Sequence, residues 1–515
     1  MRTIAQIALL ALLCVMLAAC SLAPTYERPE QELPESWKSV DMGPAPLNQD
    51  WWTRFNDPVL TKLVEEALEK NQDLAESMAS IESAAAQAGV GSAALLPIVN
   101  GAADLSAQSQ SLETANNSFR NAGVTRKYTN YQGTLSASWE LDFWGANRSS
   151  YTALTDIMLA TVMSHEALRL SIAGQVAQSY FELLALDMQL DTARRTLRTR
   201  EEGMRIYMAR YKQGDITELD MQRANAEVET ARSQVHTSII AVDAAEAALA
   251  VLTGRSPREI MTLVPERGAR VEKLPVPPVL PEGLPSDLLE RRPDIRAAEY
   301  SLLATNQQIG AARAAFFPII SLTGYLGTAS SGVSNLFSAA SGLWNYGASV
   351  ALPIFDAGRN WYNLKDAEAQ KRAAIAVYRK TVQNAFSDIR TALTAQSESR
   401  EVVKSMELQV RSLRRAAELA RLQYNNGYTD YLTVLDAERS LFTAELSLAN
   451  AFRDRLNAIV SVCMALGGGW EDPMVRPGFP PEQDTEGVIA AQRKGTAQVR
   501  AEKAAAAAAE AEAGQ

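Results

Sequence analysis

Side chains able to do chemistry are few in this sequence and poorly spaced for it. The chain has two histidines in 515 residues. His165 and His236 both fall inside long helical patterns, and neither has a second ligand-type residue at metal-binding spacing, so each reads as a helix-surface or seam residue. Of three cysteines, Cys14 and Cys20 lie in the leader, which leaves Cys463 alone on an apolar heptad row. A buried structural thiol is the better reading of it than a nucleophile. There is no P-loop, no GxSxG and no HExxH. GVGSAA at 89–94 has the glycine spacing of a dinucleotide fingerprint, but no strand precedes it, no helix opens after it, and Pro97 follows almost at once. The expectation is a protein that is not an enzyme and uses no metal.

Chemistry of a different kind is written at the start of the chain. Arg2 is followed by the apolar run Ile4 to Leu17, too short and wrongly flanked for a spanning helix, and the run ends in LAAC, residues 17–20. This resembles a bacterial lipobox. The resemblance implies that 1–19 is a signal peptide and that Cys20 carries a covalent lipid, the one group expected on the chain. Ser21 stands where an aspartate would signal retention at the inner membrane, which implies the outer membrane.

Composition narrows the partners. Net charge is -10, and Lys and Arg alternate with Asp and Glu along helical stretches instead of gathering on one face. Nucleic acid is therefore not an expected partner.

The rest of the chain reads as a device for holding long helical hairpins. Val382, Ile389, Gln396, Val403, Val410, Ala417 and Tyr424 recur every seven residues, and Leu435, Phe442, Ala449, Leu456 and Cys463 repeat the interval on the way back. A sustained heptad keeps one stripe against a neighbour only if helices supercoil, so these are arms of an antiparallel coiled hairpin. Asn425, Asn426 and Gly427 at its tip are expected to supply positive φ. An earlier pair of arms carries Val176, Leu183, Leu190, Leu197, Met204 and Tyr211, then Met221, Val228, Val235, Val242 and Leu249, around a tip at Gly214. The first of these arms spans about 100 Å at helical rise.

Between helices the period drops to two. Val99, Gly101, Ala103, Leu105 and Ala107 alternate with polar residues, as do Tyr131, Gly133, Leu135, Ala137, Trp139, Leu141 and Phe143. Ile320, Leu322, Gly324 and Leu326, then Trp344, Tyr346, Ala348, Val350, Leu352 and Ile354, repeat the pattern. Each set reads as a hairpin with one apolar and one polar face, which suits a membrane barrel and also a soluble sheet.

These segments make a tandem repeat with a period of roughly 210 residues. AALLPIV at 93–99 is echoed by AAFFPII at 314–320, and RYKQGDITELDMQRA at 210–224 by LQYNNGYTDYLTVLDAERS at 422–440, where the second tip reads as three residues longer. The expected organisation is a tether over 20–56, repeat 1 over 57–263 with a β-hairpin at 98–143, a Pro-rich linker over 264–285, repeat 2 over 286–470 with a β-hairpin at 318–355, and a low-complexity tail over 471–515. A single first helix is expected to start after Asn56, Asp57 and Pro58, with Leu60, Leu63, Val64, Ala67, Leu68, Leu74, Ala75, Met78 and Ile81 at helical spacing and GVGSAA within its Ala-rich end. Four strands cannot close a membrane barrel, for which about eight is the practical minimum, so copies must share one; three copies with twelve strands are the natural closure.

At this point the chain resembles the outer-membrane efflux factors of the TolC-like superfamily, in their lipidated OprM and NodT-type branch. The residues that carry it are LAAC, APTYERP at 23–29, LPSDLLERRPDI at 284–295, IGAARAAFFP at 309–318, LPIFDAG at 352–358, YLTVLDAERSLF at 431–442 and ALGGGW at 465–470. The fold class implied is mainly α with membrane β: a homotrimeric channel-tunnel whose twelve-stranded outer-membrane barrel continues as a periplasmic helical barrel. The function implied is a passive exit duct of a tripartite efflux system. Its partners would be a periplasmic adaptor, an inner-membrane pump of the resistance-nodulation-division class, and outer-membrane lipid. An exit duct for secreted proteins and a lipid-anchored periplasmic coiled-coil scaffold without a pore are the competing readings. The resemblance further implies that the tips around Gly214 and Gly427 meet the adaptor and that Leu432 and Asp436 form the periplasmic constriction. Being four apart, these two share a helical face. Three leucines around an axis would make an apolar plug, and three aspartates a ring that admits cations. Acid that discharges the ring would remove the repulsion that favours opening.

Overall fold

The structure is a computed structural model that describes residues 21–34, 49–109, 127–277 and 288–469. The leader with Cys20, part of the linker and the tail lie outside the described residues.

Helix α1, Pro58–Lys70, and helix α2, Gln72–Ala93, occupy the stretch expected as one helix. The break has a local cause. Asn71 ends α1 in an extended conformation and caps α2, its side-chain oxygen accepting from the backbone N–H groups of Asp73 and Leu74. The Asn71 side chain also donates to the Leu252 carbonyl at 2.9 Å, so the kink is tied to the return arm of the first hairpin. Strands β1, Ile98–Ser109, and β2, Lys127–Leu141, follow. Helix α3, Ala146–Gln213, and helix α4, Glu218–Leu252, make the first coiled hairpin, and the short α5, Pro257–Thr262, succeeds it.

The second repeat opens with α6, Leu288–Arg291, and α7, Pro293–Ala314. Strands β3, Ile319–Ser330, and β4, Gly342–Ala351, then lead to helix α8, Arg359–Asn425, and helix α9, Tyr431–Ala465. Equivalent elements have matching lengths: 22 residues for α2 and α7, 12 for β1 and β3, 35 for α4 and α9.

The four strands form one antiparallel sheet in the order β1-β2-β3-β4, so the two hairpins meet through β2 and β3. The main core lies well away from the sheet, where α1, α3, α7, α8 and α9 converge. A 3-10 turn at Trp51–Phe55, which the sequence reading missed, inserts Trp51 and Phe55 there, with the Phe55 ring 5.0 Å from that of Phe181. Tyr180 is fully buried beside them and donates its hydroxyl proton to Asp57 at 2.9 Å. Burial of each such large side chain contributes about 2 kcal/mol or more. Heptad positions Val382, Ile389, Val403, Val410 and Ala417 are buried as expected, as are Leu435, Ala449, Leu456 and Cys463.

Two segments read as free connectors are docked instead. Residues 264–277 of the linker lie against the first hairpin: Val271 and Leu274 are buried, Arg267 pairs with Asp187 and Glu246, and the Gly268 N–H donates to the Tyr180 hydroxyl. Residues 21–34 of the tether run along α7. Proline and polar content marked both as extended, which they are; tertiary hydrogen bonds hold that extended backbone in place.

Candidate functional site

The two hairpin tips come together at one end of the molecule. Each is built by the same local chemistry. Gly214, at φ 80°, and Gly427, at φ 76°, take the left-handed conformation that lets the next N–H reach back into the ending helix: Asp215 to the Arg210 carbonyl and Tyr428 to the Gln423 carbonyl, both at 2.9 Å. Asn425 belongs to α8 and Asn426 has φ -95°, so the positive φ at the second tip is the glycine's alone. The following helices are capped by Thr217 and Asp430, whose side chains accept from Asp220 and Thr433. The shift that takes Gly214 to Gly427 also takes Thr217 to Asp430, and both return helices start directly after their caps. The second tip is therefore not three residues longer. A Cβ built on either glycine meets nothing within 4 Å, so both tips face open space.

Behind the tips, Tyr431, Val434 and Leu435 of α9 pack on Ala420 of α8 and Ala224 of α4, with Met204 and Tyr207 of α3 beside them. The Tyr207 and Tyr431 rings are 4.3 Å apart, and Tyr424 completes the cluster at 5.5 Å from Tyr431. Burial pushes the Tyr207 hydroxyl up to about 12 and raises Tyr431 as well, which keeps both phenols neutral. Leu432 and Asp436 lie on the other face of α9. Both are exposed, Leu432 at 42%, so the structure sets them together on a face that the chain's own hairpins leave uncovered.

An ionic lattice ties the hairpins together just above. Buried Glu227 of α4 pairs with Arg200 of α3 at 3.0 Å and with Arg439 of α9 at 2.5 Å, and Arg421 of α8 pairs with Glu438 of α9 at 2.5 Å. The Arg200 guanidinium also lies 5.5 Å from the centre of the Phe442 ring. The sequence shows these charges only as alternating along helical stretches. Heptad spacing shows which face a residue is on but not which neighbouring helix lies against it.

At the opposite end, register aligns the side chains of all four strands. Leu135 stands opposite Gly101 on one side and Leu326 on the other, and Leu326 stands opposite Trp344. Leu105, Trp344, Tyr346 and Val350 share this apolar face and are 66% to 80% exposed. The other face carries Asn100, Asp104, Gln132, Ser136, Glu140, Ser321 and Asn345. A contiguous exposed apolar face of this size marks contact with lipid or another chain.

His165 is buried between α2 and α3, with its Nδ1 3.1 Å from the Ser77 hydroxyl, and burial holds its pKa below the ordinary value. His236 is exposed. Cys463 is buried, and its thiol is pushed up to about 12 by burial. Of the Gly-rich stretch, Gly89 to Ala93 form the C-terminal turns of α2, and the Cβ space of Gly91 is filled by Leu154. Among the described residues no group of three or more His, Cys, Asp or Glu could hold a metal ion.

The family described as outer membrane efflux protein matches residues 63–255 and 284–468, one stretch in each repeat. The chain is 37% identical over 466 residues to outer membrane protein OprJ of Pseudomonas aeruginosa, covering 90% of this chain and 95% of the relative. It is 34% identical over 465 residues to the cation efflux system protein CusC of Escherichia coli K12, covering 88% and 98%. The crystal structure of the Campylobacter jejuni CmeC outer membrane channel superposes with a TM-score of 0.82 at 28% identity, covering 90% of this chain and 99% of that one. With a family match in both repeats, and an open four-stranded sheet joined to paired helical hairpins, the chain belongs to the outer membrane efflux protein family.

Proposed function

We propose that three copies of this chain, each anchored by a lipid on Cys20, close one twelve-stranded barrel in the outer membrane and continue it as a periplasmic helical tube. The tube is the passive exit duct of a tripartite efflux system for drugs or other small toxic compounds. An inner-membrane pump of the resistance-nodulation-division class supplies the energy, and a periplasmic adaptor seats on the tips around Gly214 and Gly427. The observation that carries this reading is the sheet. It has a continuous apolar face and a polar face, and β1 and β4 are its unpaired edges among the described strands. In lipid, such edges leave backbone groups unsatisfied unless further copies close them. A periplasmic scaffold without a pore would have no use for that face.

The test is the purified chain in planar bilayers together with deletion of its gene. Discrete channel conductance and a host sensitised to small toxic compounds are expected. Membrane-bound protein that never conducts would overturn the duct.

A further inference from the structure

The two return arms match in residue type on either side of one position, and at that position their charges are opposite. The shift that takes Gly214 to Gly427 and the cap Thr217 to Asp430 also takes Leu219 to Leu432, Arg223 to Asp436 and Thr230 to Thr443. In both helices the leucine is exposed, 59% for Leu219 against 42% for Leu432. Both threonines are exposed as well, each donating its hydroxyl proton to the carbonyl four residues earlier. Between them the chemistry changes from a guanidinium on α4 to a carboxylate on α9.

The two arms are also neighbours that run in the same direction. Ala224 of α4 packs with Tyr431, Val434 and Leu435 of α9, and Glu227 of α4 pairs with Arg439 of α9. These contacts use flanks that leave out Leu219 and Arg223 on one helix and Leu432 and Asp436 on the other. Arg223 reaches Asp220 at 3.9 Å, a long ion pair, and its side chain is 41% exposed. It is near enough to α9 to act on the cap Asp430, whose carboxyl is held below the ordinary value first by hydrogen bonds from Thr433 and then by the Arg223 charge.

We propose that Arg223 lines the same constriction as Asp436 and counters it, so that three arginines temper the cation preference that three aspartates give the pore. This rests on the reading of three copies around one axis with Leu432 and Asp436 turned toward it. Parallel helices related by one shift and set side by side round a tube turn equivalent residues to the axis, and a circuit of three copies meets α4 and α9 in turn. Leu219 and Leu432 then share one apolar level, and Arg223 and Asp436 share one charged level. Opposite charges at one level partly cancel, so removing either sign unmasks the other. At physiological salt each charge is screened over about 8 Å, which confines its influence on a passing ion to the constriction itself.

Reversal potentials of the purified full-length protein in planar bilayers under a potassium chloride gradient test this. Arg223→Gln should raise the ratio of potassium to chloride permeability about twofold or more, and Arg223→Lys should keep the parent's ratio. Arg223→Cys gives a second route, in which charge is changed after folding. A positively charged thiol reagent should bring the ratio of this variant back toward the parent, and a negatively charged one should raise it further; Cys463 is buried and gives no background. A ratio that Arg223→Gln and both reagents leave unchanged, while Asp436→Asn lowers it, would overturn the role of Arg223 and leave the constriction standing. No change from either Arg223→Gln or Asp436→Asn would overturn the constriction at this level, and the role of Arg223 with it.

Discussion

His165 shows what burying a titratable side chain among helices costs. Its ring meets the Ser77 hydroxyl, and Glu166 and Arg169 lie near enough to act on it in opposite directions, but desolvation is the largest influence and lowers its pKa. The unfolded chain therefore takes up a proton near the ordinary value of 6.5, whereas the folded chain resists until lower pH. A depressed folded value means that the contribution is complete above 6.5 and is lost as pH falls from there through the folded value. Acidification below about pH 6.5 should destabilise the α2–α3 contact, and His165→Gln should flatten that part of the profile. Thermal unfolding of both proteins between pH 7.5 and pH 5, on the order of a few degrees of shift, checks it. Parallel profiles would show that His165 is not the group responsible.

At the scale of elements, the N-terminal strap depends on one buried carboxylate. Glu299 of α7 is 4% exposed and accepts from Arg28 through Nε and a terminal nitrogen, at 2.7 and 2.9 Å, and from the Tyr26 hydroxyl at 3.1 Å. Further along, Asn306 donates to the Pro24 carbonyl and Arg313 to the Leu22 carbonyl. A Cβ on Gly310 would come within 2.8 Å of the Ala23 backbone nitrogen, so glycine is what lets the strap lie flat on the helix. The strap runs toward the end of α7 that enters β3, which brings residue 21 to the sheet end of the molecule. Glu299 is the buried member of the pair and the Arg28 side chain is 40% exposed, so removing the carboxylate charge costs about 1.5 kcal/mol, the worth of a charge-assisted hydrogen bond. Glu299→Gln should therefore release the strap and speed Glu-specific proteolysis after Glu27 or Glu30 by about tenfold or more. An unchanged cleavage rate would mean that the remaining contacts hold the strap without Glu299.

At the scale of the whole molecule, the tip lattice and the sheet occupy opposite ends of helices about 100 Å long. Any gate at the tips is thus mechanically remote from the barrel. Leu432 and Asp436 lie on the face of α9 opposite its packed residues, while Glu227, Arg200 and Arg439 tie the two hairpins together within the chain. We propose that in the assembly this free face turns to the axis, where each residue appears once per copy. Leu432→Ala with Asp436→Ala should enlarge the resting conductance severalfold and weaken its cation preference, because an apolar plug and a ring of carboxylates are removed together. Single-channel recordings under a salt gradient check this. Conductance and reversal potential unchanged from the parent would remove these residues from the gate.

The sequence by itself determined the elements. Seven-residue and two-residue periods carry the helix and strand assignments because burial on one face acts at every turn or every second residue, and two glycines marked the tips because only a left-handed φ closes those turns. Tertiary structure decided what periodicity does not encode. Asn71 breaks a helix that its neighbours would have continued, because its side chain caps one helix and bonds another. Tether and linker residues with no apolar period dock through hydrogen bonds and ion pairs to Glu299, Asn306, Tyr180 and Asp187. The charged rows of the arms resolved into specific pairs only once α3, α4 and α9 were set side by side. Such contacts join residues as far apart in the chain as Glu227 and Arg439, and a local pattern holds no record of them.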